Sequence, residues 1–202
     1  VSEYALLPQG VAASTLAQQL RAMAGRTLLT IVKDLPQTSP LLSEDENRFS
    51  REVAQALSEQ GFIALEGQAL AYVPITFASL DAYLAGLSKN RRSSLKRKLK
   101  SRDQLSIERI PTGPAFADEA RVDAYYTLFD AVYAQSEIHF DKLTRAFFAD
   151  LLRDGGNGGI VFEYRALESG ALLGWNLCFE HGGKLIDKYI GLSYPAARTA
   201  NL

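Results

Sequence analysis

The chain has 202 residues, 47% of them hydrophobic and 22% charged, with 22 Lys plus Arg against 23 Asp plus Glu and a formal charge of −1. This balance excludes a wholly disordered chain, and a domain of this length buries about 70% of the surface that its unfolded form exposes. No run of 18 uncharged apolar residues is present, so no membrane-spanning helix is expected in these residues, and residues 1–25 lack the basic-then-apolar order of a secretory signal.

A single cysteine, Cys178, excludes an intrachain disulfide framework and a cysteine-rich zinc site, and neither His139 nor His181 falls in a metal-ligand spacing. The expectation is a cytoplasmic location and no metal. The absence of an initiator methionine and the end at Leu202 predict a fragment of a longer protein.

In chain order, residues 14–23 read as a helix through Leu16, Leu20 and Met23, and residues 27–32 (TLLTIV) as a short strand. Residues 45–59 carry Phe49, Val53, Ala56 and Leu57 on one side of a helix that stops at Gly61. Residues 62–65 and 70–73 are expected to pair as a hairpin around residues 66–68.

The next segment concentrates charge. Residues 89–102 hold eight basic residues and no acidic one, which leaves fourteen basic against 23 acidic elsewhere, a net of −9 on the rest of the chain. One helix is expected over 79–102, with Leu84, Leu87, Arg91, Leu95 and Leu99 as its stripe and Lys89, Arg92, Lys96 and Lys100 on other faces. Arg91 interrupts the stripe. Its head either snorkels to solvent or reaches a phosphate or carboxylate.

A strand follows at 105–110, then a Pro-Gly-Pro break, a helix over 118–135 and a shorter one over 141–153. The glycine-rich run 154–159 lacks the Lys and Ser or Thr of a nucleotide-binding loop and reads as a connector. Strands are expected at 160–165, 171–179 and 185–192, the last two joined by a tight turn at Gly182-Gly183. The predicted domains are an N-terminal α/β part (1–78), a basic linking helix (79–104) and a core (105–202).

Counting outward from the Gly-Gly turn pairs Cys178 with Asp187, Leu177 with Lys188, and Asn176 with Tyr189. Trp175, Leu177, Phe179, Ile186, Lys188 and Ile190 then share a core-like face, and Asn176, Cys178, Asp187 and Tyr189 a polar one. Lys188 on the apolar face is a conflict, because an unpaired buried ammonium is costly. Asp187, beside Asn176 and Tyr189, is the candidate base that takes the proton of an attacking amine. His139 at a helix junction is either a capping residue or a group facing substrate. Cys178 has no evident histidine beside it to activate it as a nucleophile.

The segment LAGLSKNRRSSLKRKLKS (84–101) with the following LSIERI resembles the basic helix and strand of GNAT-like acyltransferases related to the Fem peptidyltransferases and CelD-type proteins. Residues 170–198 resemble the central hairpin of that group, in which a glycine-containing strand leads to one ending in Tyr-x-Gly, and LPQTSPLL and GFIAL resemble its first part. The resemblance implies an α/β fold with a mixed sheet of the GNAT acyl-CoA N-acyltransferase type, incomplete at its C-terminus, with a partial first unit in 1–78. It implies transfer of an acyl or aminoacyl group from acyl-CoA, acetyl-CoA or aminoacyl-tRNA to an amine acceptor such as a cell-envelope precursor. Asp187, Tyr189, Asn176 and His139 are the catalytic candidates, and Lys89, Arg91, Arg92, Lys96 and Arg97 the donor-binding ones. The glycine-rich pyrophosphate loop that such a fold carries after its central strand is not visible, so it lies beyond Leu202, or the donor is handled differently, or this chain does not catalyse alone and a homo-oligomer or a missing C-terminal segment completes it.

Two other classes remain at this point. The basic helix suits a nucleic-acid-binding module, against which stand the acidic remainder and the lack of aromatic residues within the basic run. Its leucines also suit a noncatalytic scaffold peripheral to the inner membrane surface.

Overall fold

The computed structural model describes residues 4–5, 7–8, 10–67, 69–137 and 142–194. The chain forms two compact units, residues 1–74 and 75–202.

The first unit is built on two helices, α1 (Ala13–Ala24) and α2 (Glu44–Glu59). They bury Ala17, Val53, Ala56 and Leu57 together, with Leu16, Leu20, Phe49, Val32 and Phe62 packed around them. A capping box starts α2. Ser43 Oγ accepts from the Glu46 amide, and the Glu46 carboxylate accepts from the Ser43 amide at 2.7 Å. The buried Asn47 accepts from the Ser39 amide at 2.7 Å and donates to the Ser39 carbonyl at 2.9 Å, which pins the preceding loop to the helix. The helix ends where Gly61 takes a φ of 87°.

The strand expected at 27–32 and the hairpin expected at 62–73 are not formed among the described residues. Leu28, Leu29, Ile31, Ile63 and Leu65 are instead exposed. β-prone side chains make a strand only where a sheet receives them, and an isolated two-stranded hairpin is marginal in water. Among its described residues this unit offers them two helices and no sheet.

The second unit opens with α3 (Leu80–Gly86) and α4 (Lys89–Leu99), the latter running into a 3₁₀ turn, Lys100–Gln104. The single helix expected over 79–102 is thus broken at Leu87 and Ser88, whose backbones leave the helical region with ψ of 153° and 152°. Arg92 explains how the break is held. Its guanidinium donates to the carbonyls of Ala85 and Leu87, at 3.1 and 2.9 Å, and so caps the end of α3.

Strands β1 (Leu105–Pro111), β2 (Gly159–Ala166), β3 (Leu172–His181) and β4 (Lys184–Leu192) form an antiparallel sheet in that order. Between β1 and β2 the chain makes α5 (Glu119–Gln135) and α6 (Arg145–Arg153), so the chain is mixed α/β as expected. Both helices cover one face of the sheet. Trp175, Leu177, Phe179, Val161 and Ile110 meet Val122, Tyr125, Phe129, Phe148 and Leu152 there. The indole of Trp175 stacks on Tyr125 with centroids 5.5 Å apart and donates Nε1–H to the Tyr125 carbonyl. Gly191, opposite Trp175, is required by this packing, since a Cβ there would lie 2.4 Å from Trp175 Nε1.

One carboxylate is buried on the covered face. Glu163 accepts from Arg165 Nε at 2.5 Å and from the Tyr125 hydroxyl, with Arg121 3.6 Å away. Burial alone raises a carboxyl's pKa, but the hydrogen bonds from Arg165 and Tyr125 outweigh it and hold Glu163 below the ordinary range.

Gly182 and Gly183 both take positive φ, 55° and 71°, as the tight turn requires. The pairs nearest the turn fall as counted: Glu180 with Leu185, Phe179 with Ile186, Cys178 with Asp187. Beyond them the register shifts. Leu177 faces Tyr189 and Asn176 faces Ile190, so Lys188 is the extra residue of a β-bulge. The expected faces of Tyr189 and Ile190 are therefore exchanged. Tyr189 joins the covered core with its ring edge-on to Phe129, and Ile190 lies on the other side.

Candidate functional site

The uncovered face of the sheet carries the residues of opposite parity. Pairing places Ile107 beside Tyr164, Tyr164 beside Gly174, Phe162 beside Asn176, and Asn176 beside Ile190. A sheet with one face packed on helices normally turns polar residues to the other. Here Ile107 and Ile190 stay 44% and 37% exposed. The end of α4 and the 3₁₀ turn lie over this face, leaving between them a groove of about 400 Å³. Leu95, Leu99, Leu105, Ile107, Ile190 and Leu192 supply its apolar surface, and Tyr164 and Asn176 its polar points on the sheet.

Next to the groove the side chains are organised around Asp187. The Asn176 amide donates to both carboxylate oxygens, at 3.0 and 3.1 Å, and the Cys178 thiol lies 3.8 Å from Oδ1. Asn176 is thus both a groove residue and the group that orients the carboxylate, while Asp187 itself remains open to solvent. Burial first, and the neighbouring Asp187 charge second, push the Cys178 thiol up to about 11. It stays protonated at neutral pH and is a donor to Asp187, not a nucleophile. Burial, with the Cys178 and Asp187 charges behind it, also raises the Tyr164 phenol above its ordinary value.

Of the catalytic candidates, Asn176 and Asp187 come together, Tyr189 lies on the opposite face, and His139 falls outside the described residues. The signal for the bulge was present in the sequence. Ile186, Lys188 and Ile190 break the apolar alternation at the one residue whose burial on the covered face would be costly, and a one-residue insertion removes that conflict.

The donor-binding candidates sit differently from the expectation. Lys89, Arg91, Lys96 and Arg97 are exposed and do not line the groove, and Arg92 is committed to the carbonyls at the end of α3. The cations at the groove are Lys98 and Arg102. With Leu95 and Leu99 they complete an i, i+3, i+4, i+7 stripe, the periodicity that would have identified them once the break before Ser88 was placed. Neither cation has an ion-pair partner among the described residues.

No group of three or more His, Cys, Asp or Glu able to hold a metal ion occurs among the described residues, and none of their helices is long and apolar enough to cross a membrane. A family model described as FemAB-like, peptidoglycan biosynthesis/recognition, matches residues 10–196. No curated protein matches the chain.

Proposed function

We propose that this chain, which belongs to the FemAB-like family, is a transferase that moves an acyl or aminoacyl group onto an amine of a cell-envelope precursor. The observation that carries this reading is the Asn176–Asp187 pair beside the groove on the uncovered face. The amine nitrogen attacks the donor's carbonyl carbon and forms the new C–N bond. Asp187 takes the proton that the nitrogen sheds, and the bond from the carbonyl carbon to the donor's sulfur or oxygen breaks as the adduct collapses. Asn176, by donating to both oxygens, is a positioning residue for that carboxylate. Tyr164 is a neutral hydroxyl donor facing the groove. The GNAT resemblance supports an acyl-CoA donor and the Fem relationship an aminoacyl-tRNA donor.

The test is a transfer assay on the full gene product, with mass-spectrometric detection of the acylated precursor amine and each donor offered separately. Asp187→Asn is expected to lower kcat about 100-fold with donor affinity retained, the scale of a lost general base. Turnover equal to wild type would remove Asp187 from the reaction.

A further inference from the structure

The break between α3 and α4 has no cause in the backbone itself. No proline lies between Leu80 and Leu99, and Gly86 does not take the left-handed φ that ends many helices. Leu84, Leu87, Leu95 and Leu99 keep a helical period across the break, so one continuous helix is open to the segment. The bent form also starts α4 poorly. The Ser88 side chain caps no amide, and the first turn holds Lys89, Arg91 and Arg92 with no acid, cations at the end where the helix dipole is positive.

Arg92 supplies what holds the bend. Its Nη2 donates to the carbonyls of Ala85 and Leu87, at 3.1 and 2.9 Å, which a continuous helix would pair with the amides of Lys89 and Arg91. The Nε of the same guanidinium is buried without a hydrogen-bond partner. An unmet donor on a charged group offsets part of what the two bonds give, so the bent form is held narrowly.

Arg92 is also aligned with the groove. Leu95 and Leu99 follow it by three and seven residues, so the guanidinium and the two leucines of the groove wall run along one face of α4. The far end of α4 is tied to β1 through the 3₁₀ turn. Its near end is placed by the bend, beyond which α3 is anchored by the buried Leu84.

We infer that Arg92 is the positioning residue of the groove: by donating to Ala85 and Leu87 it keeps residues 80–99 as two helices and so sets the α4 wall over the sheet. Without it the segment closes into one helix and α4 tilts off the open face. The inference deepens the transferase reading and rests on it only for the effect on turnover.

The experiment is nuclear magnetic resonance of the full gene product. It reads the backbone carbon-13 shifts of Leu87 and Ser88, and the relaxation of the Ile107 and Ile190 methyl groups by a dissolved gadolinium chelate. Wild type should show extended shifts at both positions. In Arg92→Gln both should move into the helical range, and the methyl relaxation should rise at least twofold as α4 uncovers the sheet. Arg92→Lys, which keeps a cation able to reach the same carbonyls, should hold most molecules bent. Arg91→Gln, a charge change in the same turn, should alter neither signal. Ser88 has φ of −56° and Leu87 ψ of 153°, values that suit a proline and the residue before it. Arg92→Gln/Ser88→Pro should therefore restore the extended shift of Leu87 and the covered methyls, and it keeps the test open where Arg92→Gln alone fails to fold. Extended shifts in Arg92→Gln, an equal response to Arg91→Gln, or helical shifts with unchanged methyl relaxation would overturn the inference. In the transfer assay, Arg92→Gln should raise KM for the precursor at least fivefold and leave kcat within twofold, because Asn176 and Asp187 stand on β3 and β4. A loss confined to kcat would also overturn the positioning role. A wild-type chain that transfers nothing would sink the transferase reading and leave the shifts and methyl relaxation to decide on Arg92.

Discussion

The two faces of the four-stranded sheet share every backbone hydrogen bond and differ in nearly everything else. On β3, Trp175, Leu177 and Phe179 are sealed under α5 and α6, while the interleaved Asn176 meets solvent, the groove and Asp187. Each face also holds one organised carboxylate. Glu163 on the covered face is ringed by Arg165, Tyr125 and Arg121 and has no room for a substrate, whereas Asp187 is oriented by Asn176 and left open. The same strands therefore divide the work, one face holding the fold and the other free to carry reactive groups that contribute little to stability.

That division can be broken most severely from the covered side. Trp175→Ala removes the largest buried side chain and its hydrogen bond to Tyr125, and is expected to cost about 3–5 kcal/mol in urea unfolding. Glu163→Gln should cost about 1–3 kcal/mol at neutral pH, because Arg165 and Tyr125 lose a charged partner. Its pH dependence sharpens the point. The folded carboxyl lies below its unfolded value of about 4.3, so its contribution is complete above that pH and fades as pH falls through the folded value. Wild type and Glu163→Gln should thus converge in stability in acid, and a gap that stays constant down to low pH would show that Glu163 contributes through shape alone.

Smaller still is the effect expected of removing Lys188. Without it, Asp187 and Tyr189 become neighbours in an unbulged strand and keep their partners, Cys178 and Leu177, so the faces are preserved. The loss should stay near about 1 kcal/mol, measured by the same unfolding titration, and a collapse of the fold would show that the bulge does more than reset the register. Asp187→Asn, on the open face, should change stability by no more than about 0.5 kcal/mol. A large loss of stability there would erase the contrast between the faces.

The order of helices and strands in the second unit was legible because its periodicities are strong and its turns carry glycine. Gly182-Gly183 alone placed three strand pairs correctly. Two things were not legible from pattern. The β-rich residues 27–32 and 62–73 have the composition of strands but no sheet to join, and composition does not report a partner's absence. The break at Leu87–Ser88 is held by Arg92 reaching back to Ala85, a contact seven residues long that a 3.6-residue period hides. The break in the helix and the bulge in β4 both bear on the site. A single helix over 79–102 hides the run of Leu95, Lys98, Leu99 and Arg102 along the groove, and an unbulged β4 puts Tyr189 beside Asp187. Asn176 and Asp187 share a face as counted because they lie on the turn side of the bulge or on the unbulged strand, where simple alternation holds.

The chain has one tryptophan, and its position makes the protein its own optical instrument. The indole of Trp175 lies wholly buried between α5 and the sheet, so its emission reports the seam between helices and strands of the second unit. Far-ultraviolet dichroism, by contrast, sums helices from both units. Following one denaturant titration by both signals therefore asks whether the two units melt as one: coincident curves mean a shared transition, and separated curves give each unit a midpoint of its own.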